Sequence, residues 1–471
     1  MGLLKTAYEL GSERVIATRY EKKAEYEQSA IPDFVTDDPL DETERAGPFI
    51  DRKTQIRMER EKQQNKLGFP KVVQGGGVRV QEAESYSFGD NIPEVNWSGH
   101  FFDYGGFARM NRTMVFGLSN RNVRVKPIIE PYLNHVNQAT QKELRTLANQ
   151  KIADDAPMIY GMTVPLHLSH PGKRIVYTMI ETSEQAHKDY VGKLNLATEV
   201  WVPTEYGKRI LEKSGIQVPV YVMPLGVDVN RYRPAVEPMN FGFGLKKFVF
   251  LSIFRWSYRK GHDLLIRAFL EEFSSDDDVS LLLVSRAVEC PEELGPQKIA
   301  EDFKALRSTV NKPDSALPHI ALYGEPIPER RMPSVYAVGD VFALMSRGEG
   351  FGLPYAEAGA CAVPILATNC SGHSDFLDEE TATLIEPDGY VTAETNGAMN
   401  RMAKLCHFYQ GQKFPDFGPT AFASLKSKMR EMYEDPRPLM RKALALRERV
   451  VDHYTWDAAV DRVHKRIIEI Q

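Results

Sequence analysis

From Pro93 onward the apolar residues fall into short runs, separated by polar or glycine- and proline-marked breaks and alternating with stretches of helical spacing. PEVNWSGHF predicts a strand, FDYGGFA a loop, RMNRTMVFGLSNRN a helix and VRVKPII a second strand. Further apolar runs follow at APMIYGMTV, RIVYTMI, EVWVPT and VPVYVMPL, with a helix expected over YGKRILEKSG. RYRPAVEPMNFGFGLKK then interrupts the rhythm and reads as a linker. A second series begins at once: strands at FVFLSIF, SLLLVS, HIALYG, VFALMS and PILATN, and helices at HDLLIRAFLEEF, PSVYAVG and LPYAEAGA. The tail TWDAAVDRVHKRIIEI carries apolar residues at helical spacing.

Strands alternating with helices, many of the strands apolar on both faces, point to parallel sheets covered by helices. The fold class is therefore α/β, with two Rossmann-like doubly wound lobes facing across a cleft. The boundaries read from the pattern are an N-terminal extension over 1–90, an N-terminal lobe over 91–235, a C-terminal lobe over 236–450 and a final amphipathic helix over 451–471. Residues 1–90 mix charges of both signs with few large apolar residues and include Gly75, Gly76 and Gly77. They read as a solvated helix with loops, or as a segment that binds an acceptor or partner.

At 471 residues, 42% hydrophobic and 26% charged, the chain has the balance of a soluble globular protein with room for more than one core. The formal charge of -5 supplies no global basic field for nucleic acid or anionic lipid. Cys290, Cys361, Cys370 and Cys406 are too scattered for a zinc site or a disulfide framework. No stretch of signal-peptide character opens the chain and no window reaches the length of a spanning helix, so the expected location is cytoplasmic.

The chemistry concentrates in two loops. SRGEGFGLPYAEA, Ser346 to Ala358, follows a strand and enters a helix, which is where open α/β sheets bind ligands. Gly350 and Gly352 let backbone approach a ligand, and the amides at the helix start present partial positive charge. Glu349 and Glu357 bracket the loop as acceptors for hydroxyl groups. Read alone, the glycines equally serve a tight turn, and Glu357 equally sits on a helix surface. The second loop, RWSYRKG, carries Arg255 and Lys260, a fork of donors and a point charge suited to a diphosphate. As an exposed lysine, Lys260 is expected to matter more for transfer than for stability. The run Asp276, Asp277, Asp278 precedes a strand and reads as a polar turn, not a metal site.

With these residues in place, the chain from about 93 to 471 resembles glycosyltransferase family 4, the retaining group with the GT-B fold. The spacing from Glu349 to Glu357 matches its E-x7-E motif, and Arg255 with Lys260 matches its arginine-lysine pair. PILATNCSGHSDFL, WVPTEYGKRILEKSGI and MPLGVDVNRYRP extend the likeness. The resemblance implies that Arg255 and Lys260 contact the donor diphosphate, that Glu357 holds the ribose, and that Glu349 with the amides of Gly350, Phe351, Gly352 and Leu353 faces the transferred sugar. It implies that Glu325 and Ile327 border the nucleobase through backbone groups and that Gly105 and Gly106 form the glycine-rich loop opposite. Arg255, Lys260 and Glu349 are thus the expected catalytic set.

Some positions depart from the family. APMIYGMTV lacks the histidine many members carry, and His167 and His170 nearby are read as surface or packing residues. Ala362 stands where glycine is usual. Glu181 in YTMIETSEQ lies just beyond a strand and reads either as acceptor-binding or as a carboxylate at a helix start. The activity implied is that of a retaining hexosyltransferase, with a nucleoside-diphosphate sugar as donor and an acceptor hydroxyl on a glycan, lipid-linked glycan, protein, metabolite or modified nucleic acid. Neither a metal nor another cofactor is expected. A phosphorylase of the same fold and a non-catalytic sugar-nucleotide-binding protein are the alternatives.

Overall fold

The computed structural model describes residues 7–9, 92–129, 136–163, 167–287, 295–395 and 399–471. Strand β1 (Ala7–Glu9) is followed by β2 (Glu94–Gly99), β3 (Arg124–Ile129), β4 (Met158–Gly161), β5 (Arg174–Tyr177), β6 (Glu199–Val202) and β7 (Val220–Val222). The second half carries β8 (Phe248–Trp256), β9 (Val279–Ala287), β10 (His319–Tyr323), β11 (Val341–Leu344), β12 (Ile365–Thr368) and β13 (Thr383–Ile385), then the pair β14 (Gly389–Thr392) and β15 (Lys413–Asp416). The expectations for Gly75 to Gly77 and for Cys290 lie outside the described residues.

The first lobe holds a six-stranded parallel sheet in the order β3-β2-β4-β5-β6-β7. The second holds a seven-stranded sheet in the order β1-β10-β9-β8-β11-β12-β13, parallel except for β1 along its edge. Two Rossmann-like lobes in the GT-B arrangement result. Each sheet has a point where the strand order reverses: β2 beside β4 in the first lobe, and β8 beside β11 in the second. Chains leaving the carboxyl ends of two such strands diverge and open a crevice between them.

The apolar runs of β8 and β9 are buried along most of their length, as strands covered on both faces require. In the first lobe, Trp97, Tyr177 and Trp201 form edge-to-face contacts with ring centroids 6.5 and 5.8 Å apart. Buried Asn111 fixes that lobe's crevice. Its Oδ1 accepts from the Trp97 indole at 2.9 Å, and its Nδ2 donates to the carbonyls of His100 and Gly161, each at 2.9 Å, tying the ends of β2 and β4 together.

The last helix, Trp456–Glu469, lies on the first lobe although it follows the second in sequence. Val460 meets Gly117 of the helix Gly106–Ser119, and Arg466 Nε donates to Glu199 of β6 at 3.1 Å. The chain therefore crosses between lobes twice, and the crossings touch: Val227 N–H donates to the Tyr454 carbonyl at 2.8 Å, and Trp456 N–H donates back to the Val227 carbonyl at 3.3 Å. The helices Pro419–Glu434 and Arg437–His453 stay with the second lobe, the latter against the helix Leu353–Ala360. No helix among the described residues is long and apolar enough to cross a membrane.

Candidate active site

Both candidate loops leave the switch point of the second sheet. After β8 the chain makes a single turn at Tyr258–Lys260, and Gly261, at φ 66°, opens the helix His262–Glu272. A side chain at Gly261 would strike the carbonyl of Met345 just beyond β11, so glycine is what allows the two loops to touch. Buried Arg347 stitches them together: its guanidinium donates to the Tyr258 carbonyl at 2.7 Å and forks onto both oxygens of Asp263 at 2.8 Å.

Within this frame Lys260 Nζ donates to Glu349 Oε1 at 2.5 Å, and Ser346 Oγ donates to the same oxygen at 2.7 Å. Burial alone would raise the Glu349 pKa. The charges of Lys260 and Arg259 and the two hydrogen bonds outweigh it and bring the carboxyl down to about 2. The Lys260 side chain is only 12% exposed, so the surface lysine expected from sequence is a member of a buried ion pair. Its tether to Glu349 across the switch point is what buries it.

Glu349 is also held by its backbone. Its N–H donates to Ser371 Oγ at 2.9 Å, Ser371 Oγ lies 3.3 Å from His373 Nδ1, and His373 Nε2 lies 2.7 Å from the Thr368 carbonyl. A neutral imidazole protonated on Nε2, with Nδ1 accepting from the serine, satisfies that order. Burial pushes the His373 pKa down to about 4, against the opposing pull of the Thr368 carbonyl and Glu349.

Glu357, on the helix Leu353–Ala360, is buried and already engaged. Oε2 accepts from Tyr336 Oη at 2.7 Å, and Oε1 pairs with Arg109 from the first lobe. Arg109 also donates to Tyr232 Oη at 2.7 Å and pairs with Glu329 at 3.1 Å. Glu329 follows the loop of Glu325 and Ile327, where Ile327 packs against the core and Glu325 is part-exposed. Among the described residues no protein group accepts from the amides of Gly350, Phe351, Gly352 or Leu353, leaving them as donors at a helix start. The Phe351 ring is buried against Phe376 and Tyr454.

Arg255 and Lys260 go to different partners. The Arg255 guanidinium, half exposed, lies 3.6 Å from Asp103 of the first lobe and against Gly105. Gly105 N–H donates to that same carboxylate at 2.5 Å, and Gly106 faces Leu353. The two glycines thus meet the second lobe's loops across the cleft. Arg259, absent from the sequence reading, donates to the Gly348 carbonyl and pairs with Glu181 at 3.1 Å.

Glu181 faces the cleft, and its other oxygen accepts from Tyr409 Oη. Tyr409 sits on an arm of the second lobe, β14 and β15 with the residues between them, which reaches the first lobe through a 2.8 Å bond from Ser183 N–H to the Lys413 carbonyl. His187, Asp189 and His407 come together where the arm lands, at part-exposed and exposed positions. Asp277 and Asp278 cap turns, accepting from the N–H groups of Ser274 at 2.8 Å and Lys247 at 3.1 Å. His170 Nε2 lies 2.7 Å from the Ala156 carbonyl at the opposite end of β4 from the cleft, and His167 is exposed. Cys361 and Cys370 are buried and Cys406 is part-buried.

Sequence reasoning missed Asp103, Arg109, Arg259, Glu329, His373 and Tyr409. Arg259 had a signal in the doubled basic pair of SYRKG; Arg109 and Tyr409 had none, because their partners lie in the other lobe.

The family model described as Glycosyl transferases group 1 matches residues 246–404, the stretch that builds both loops of the switch point. Those residues belong to that family. The GDP-mannose-dependent alpha-(1-6)-phosphatidylinositol monomannoside mannosyltransferase of Mycolicibacterium smegmatis is 31% identical over 176 residues, covering 35% of this chain and 42% of that protein. A D-inositol 3-phosphate glycosyltransferase of Xylanimonas cellulosilytica is 28% identical over 38% of this chain and 42% of its own length. The chain thus spans less than half the length of these two relatives. Among solved structures, HepE of Anabaena in complex with UDP and glucose superposes with a TM-score of 0.53 at 13% identity, over 80% of this chain and all of that one. Sucrose-phosphate synthase from Thermosynechococcus elongatus gives 0.55 at 14% identity, over 80% of this chain and 98% of that one. At such identities the likeness carries the GT-B fold alone.

Proposed function

We propose that this group 1 chain transfers a hexose from a nucleoside-diphosphate sugar to an acceptor hydroxyl with retention of anomeric configuration. The observation that carries the reading is the convergence of Arg255, Arg259, Lys260 and Glu349 at the second sheet's switch point, opposite Gly105 and Gly106. Three cations at one crevice suit a diphosphate that gains charge as it leaves, and fixed charges in a water-poor cleft stabilise that leaving group without reorganising. Arg255 and Lys260 take the diphosphate in this scheme. Glu349 and the free amides from Gly350 to Leu353 face the sugar, Glu357 takes the ribose, and the loop of Glu325 and Ile327 borders the base. Glu181, fixed by Arg259 and Tyr409, lines the acceptor side. The diphosphate oxygen itself accepts the acceptor's proton, so the scheme takes no metal.

The test is a donor panel headed by GDP-mannose and UDP-glucose, the former named for the Mycolicibacterium relative and the latter chosen from the ligands of the HepE complex. Slow donor hydrolysis, product mass with inositol phosphates among the acceptors, and NMR coupling at the product's anomeric centre are the readouts. Activity that survives EDTA with an unchanged anomeric configuration is expected. Sugar phosphate appearing only with added phosphate, or binding with no turnover of any donor, would sink the reading.

A further inference from the structure

The Arg109 guanidinium is enclosed by three oxygen partners: Glu357 on the group 1 helix, Glu329 at 3.1 Å and Tyr232 Oη at 2.7 Å. It arrives from the first lobe, on the helix that Gly105 opens, one turn beyond the glycine pair. Although burial works against its charge, Glu357, Tyr232 and Glu329 hold the group firmly protonated. Its Nε finds no acceptor among the described residues. A part-buried cation whose buried Nε is one bond short is poorly settled, since an unmade buried hydrogen bond costs the full desolvation of the donor.

Both oxygens of Glu357 already accept while this contact stands, so an incoming ligand has either to share an oxygen or to displace its partner. One oxygen carries Arg109 and the other carries Tyr336 Oη at 2.7 Å. A ribose diol offers two hydroxyl donors, the same chemistry the guanidinium offers, to the same carboxylate.

We propose that Arg109 gates the nucleoside half of the donor site, its guanidinium occupying Glu357 until the 2′- and 3′-hydroxyls of an incoming nucleotide replace it. This rests on the reading that Glu357 takes the ribose. Displaced, Arg109 keeps Glu329, which is 44% exposed and lies beside the cleft, so the cation has a place to go without meeting water unpaired. Because the contact joins the lobes, the exchange also removes one of the ties that hold the cleft shut: nucleotide entry and lobe release become one event.

Titration calorimetry of GDP, UDP and ADP against the full chain and its Arg109→Gln variant tests this, with melting curves to verify folding. The gate predicts binding at least tenfold tighter in Arg109→Gln, equivalent to about 1.4 kcal/mol. The gain vanishes for a 2′,3′-dideoxynucleoside diphosphate, which has no diol to compete; a merely structural arginine would not distinguish the two ligands. If Arg109→Gln does not fold, Glu329→Gln removes the anchor at a half-exposed site and is expected to loosen nucleotide binding, because the displaced guanidinium loses its resting place. Weaker or unchanged binding in a folded Arg109→Gln variant, or an equal gain for the dideoxy ligand, overturns the gate while leaving the transferase reading intact. If neither the parent chain nor any variant binds a nucleoside diphosphate, both fall together.

Discussion

Glu349 and Glu357 stand eight residues apart on one loop and helix, both buried, yet they are held in opposite ways. Every side-chain partner of Glu349 within 3 Å comes from its own lobe: Lys260 and Ser346 at the carboxylate, Ser371 at the backbone. Glu357 shares its charge with the other lobe through Arg109. A site completed within one rigid sheet keeps its geometry whatever the lobes do, whereas a contact spanning the cleft is made and broken with their movement. With the roles proposed above, the invariant part of the site would serve the sugar end and the adjustable part the nucleoside end.

The largest expected effect tests the self-contained half. Lys260→Ala removes a transition-state contact worth about 2–4 kcal/mol, a loss of roughly two to three orders of magnitude in transfer rate. Because Lys260 is buried against Glu349, the variant should also lose about 3–5 kcal/mol of stability, as the carboxylate is left alone in the interior. Calorimetric unfolding and initial rates at a temperature where the variant is folded separate the two; a folded variant with parental turnover removes Lys260 from the site.

His373 supplies the next measure. The unfolded imidazole titrates near 6.5 and the folded one at about 4, so below 6.5 the unfolded chain takes up a proton that the native chain refuses. The contribution is complete above 6.5 and is lost as pH falls towards 4, by up to about 3 kcal/mol. His373→Gln should flatten that limb of the stability-pH curve, checked by urea titrations at intervals between pH 4 and 7. An identical slope in parent and variant would place the histidine in contact with water.

The comparison itself is tested by the paired carboxamides. Glu357→Gln should weaken free nucleoside diphosphate binding about tenfold, near 1.4 kcal/mol, while Glu349→Gln lowers turnover and leaves that affinity nearly unchanged. Equal losses of diphosphate affinity in both variants would erase the division between them. The smallest expected effect leaves both carboxylates alone. Ala362, just past the end of the helix that bears Glu357, has φ 52°, a left-handed conformation that favours glycine. Ala362→Gly should raise stability by about 0.5–1 kcal/mol with kinetics unchanged, measured as a shift in melting temperature.

How much of this could be read from sequence follows from where each signal resides. β8, β11 and the loops after them announce themselves because apolar runs and glycine turns are local, and Arg255, Lys260, Glu349 and Glu357 lie within them. The departure at Ala362 was likewise visible, and its positive φ gives the physical reason glycine is usual there. Arg109 was read as part of an ordinary helix, since a charge in RMNR looks solvated until the opposite lobe covers it. Tyr409 lies on an arm whose partner Glu181 is more than 200 residues away in sequence. The last helix showed its amphipathic spacing but not its destination, which depends on the chain returning across the cleft.

That return has a mechanical consequence. A body attached to another by a single flexible strand can swing, twist and roll; attached by two strands lying side by side, it keeps chiefly one motion, rotation about the line the pair defines. The bonds between Val227 and the Tyr454–Trp456 segment set such a line where the two crossings meet. Widening of the cleft then resembles a book opening on its spine, and Phe351, packed on Tyr454, places the loop that faces Gly106 close to that spine. A protease cut between residues 236 and 245 would leave the covers bound, because the second crossing still joins them.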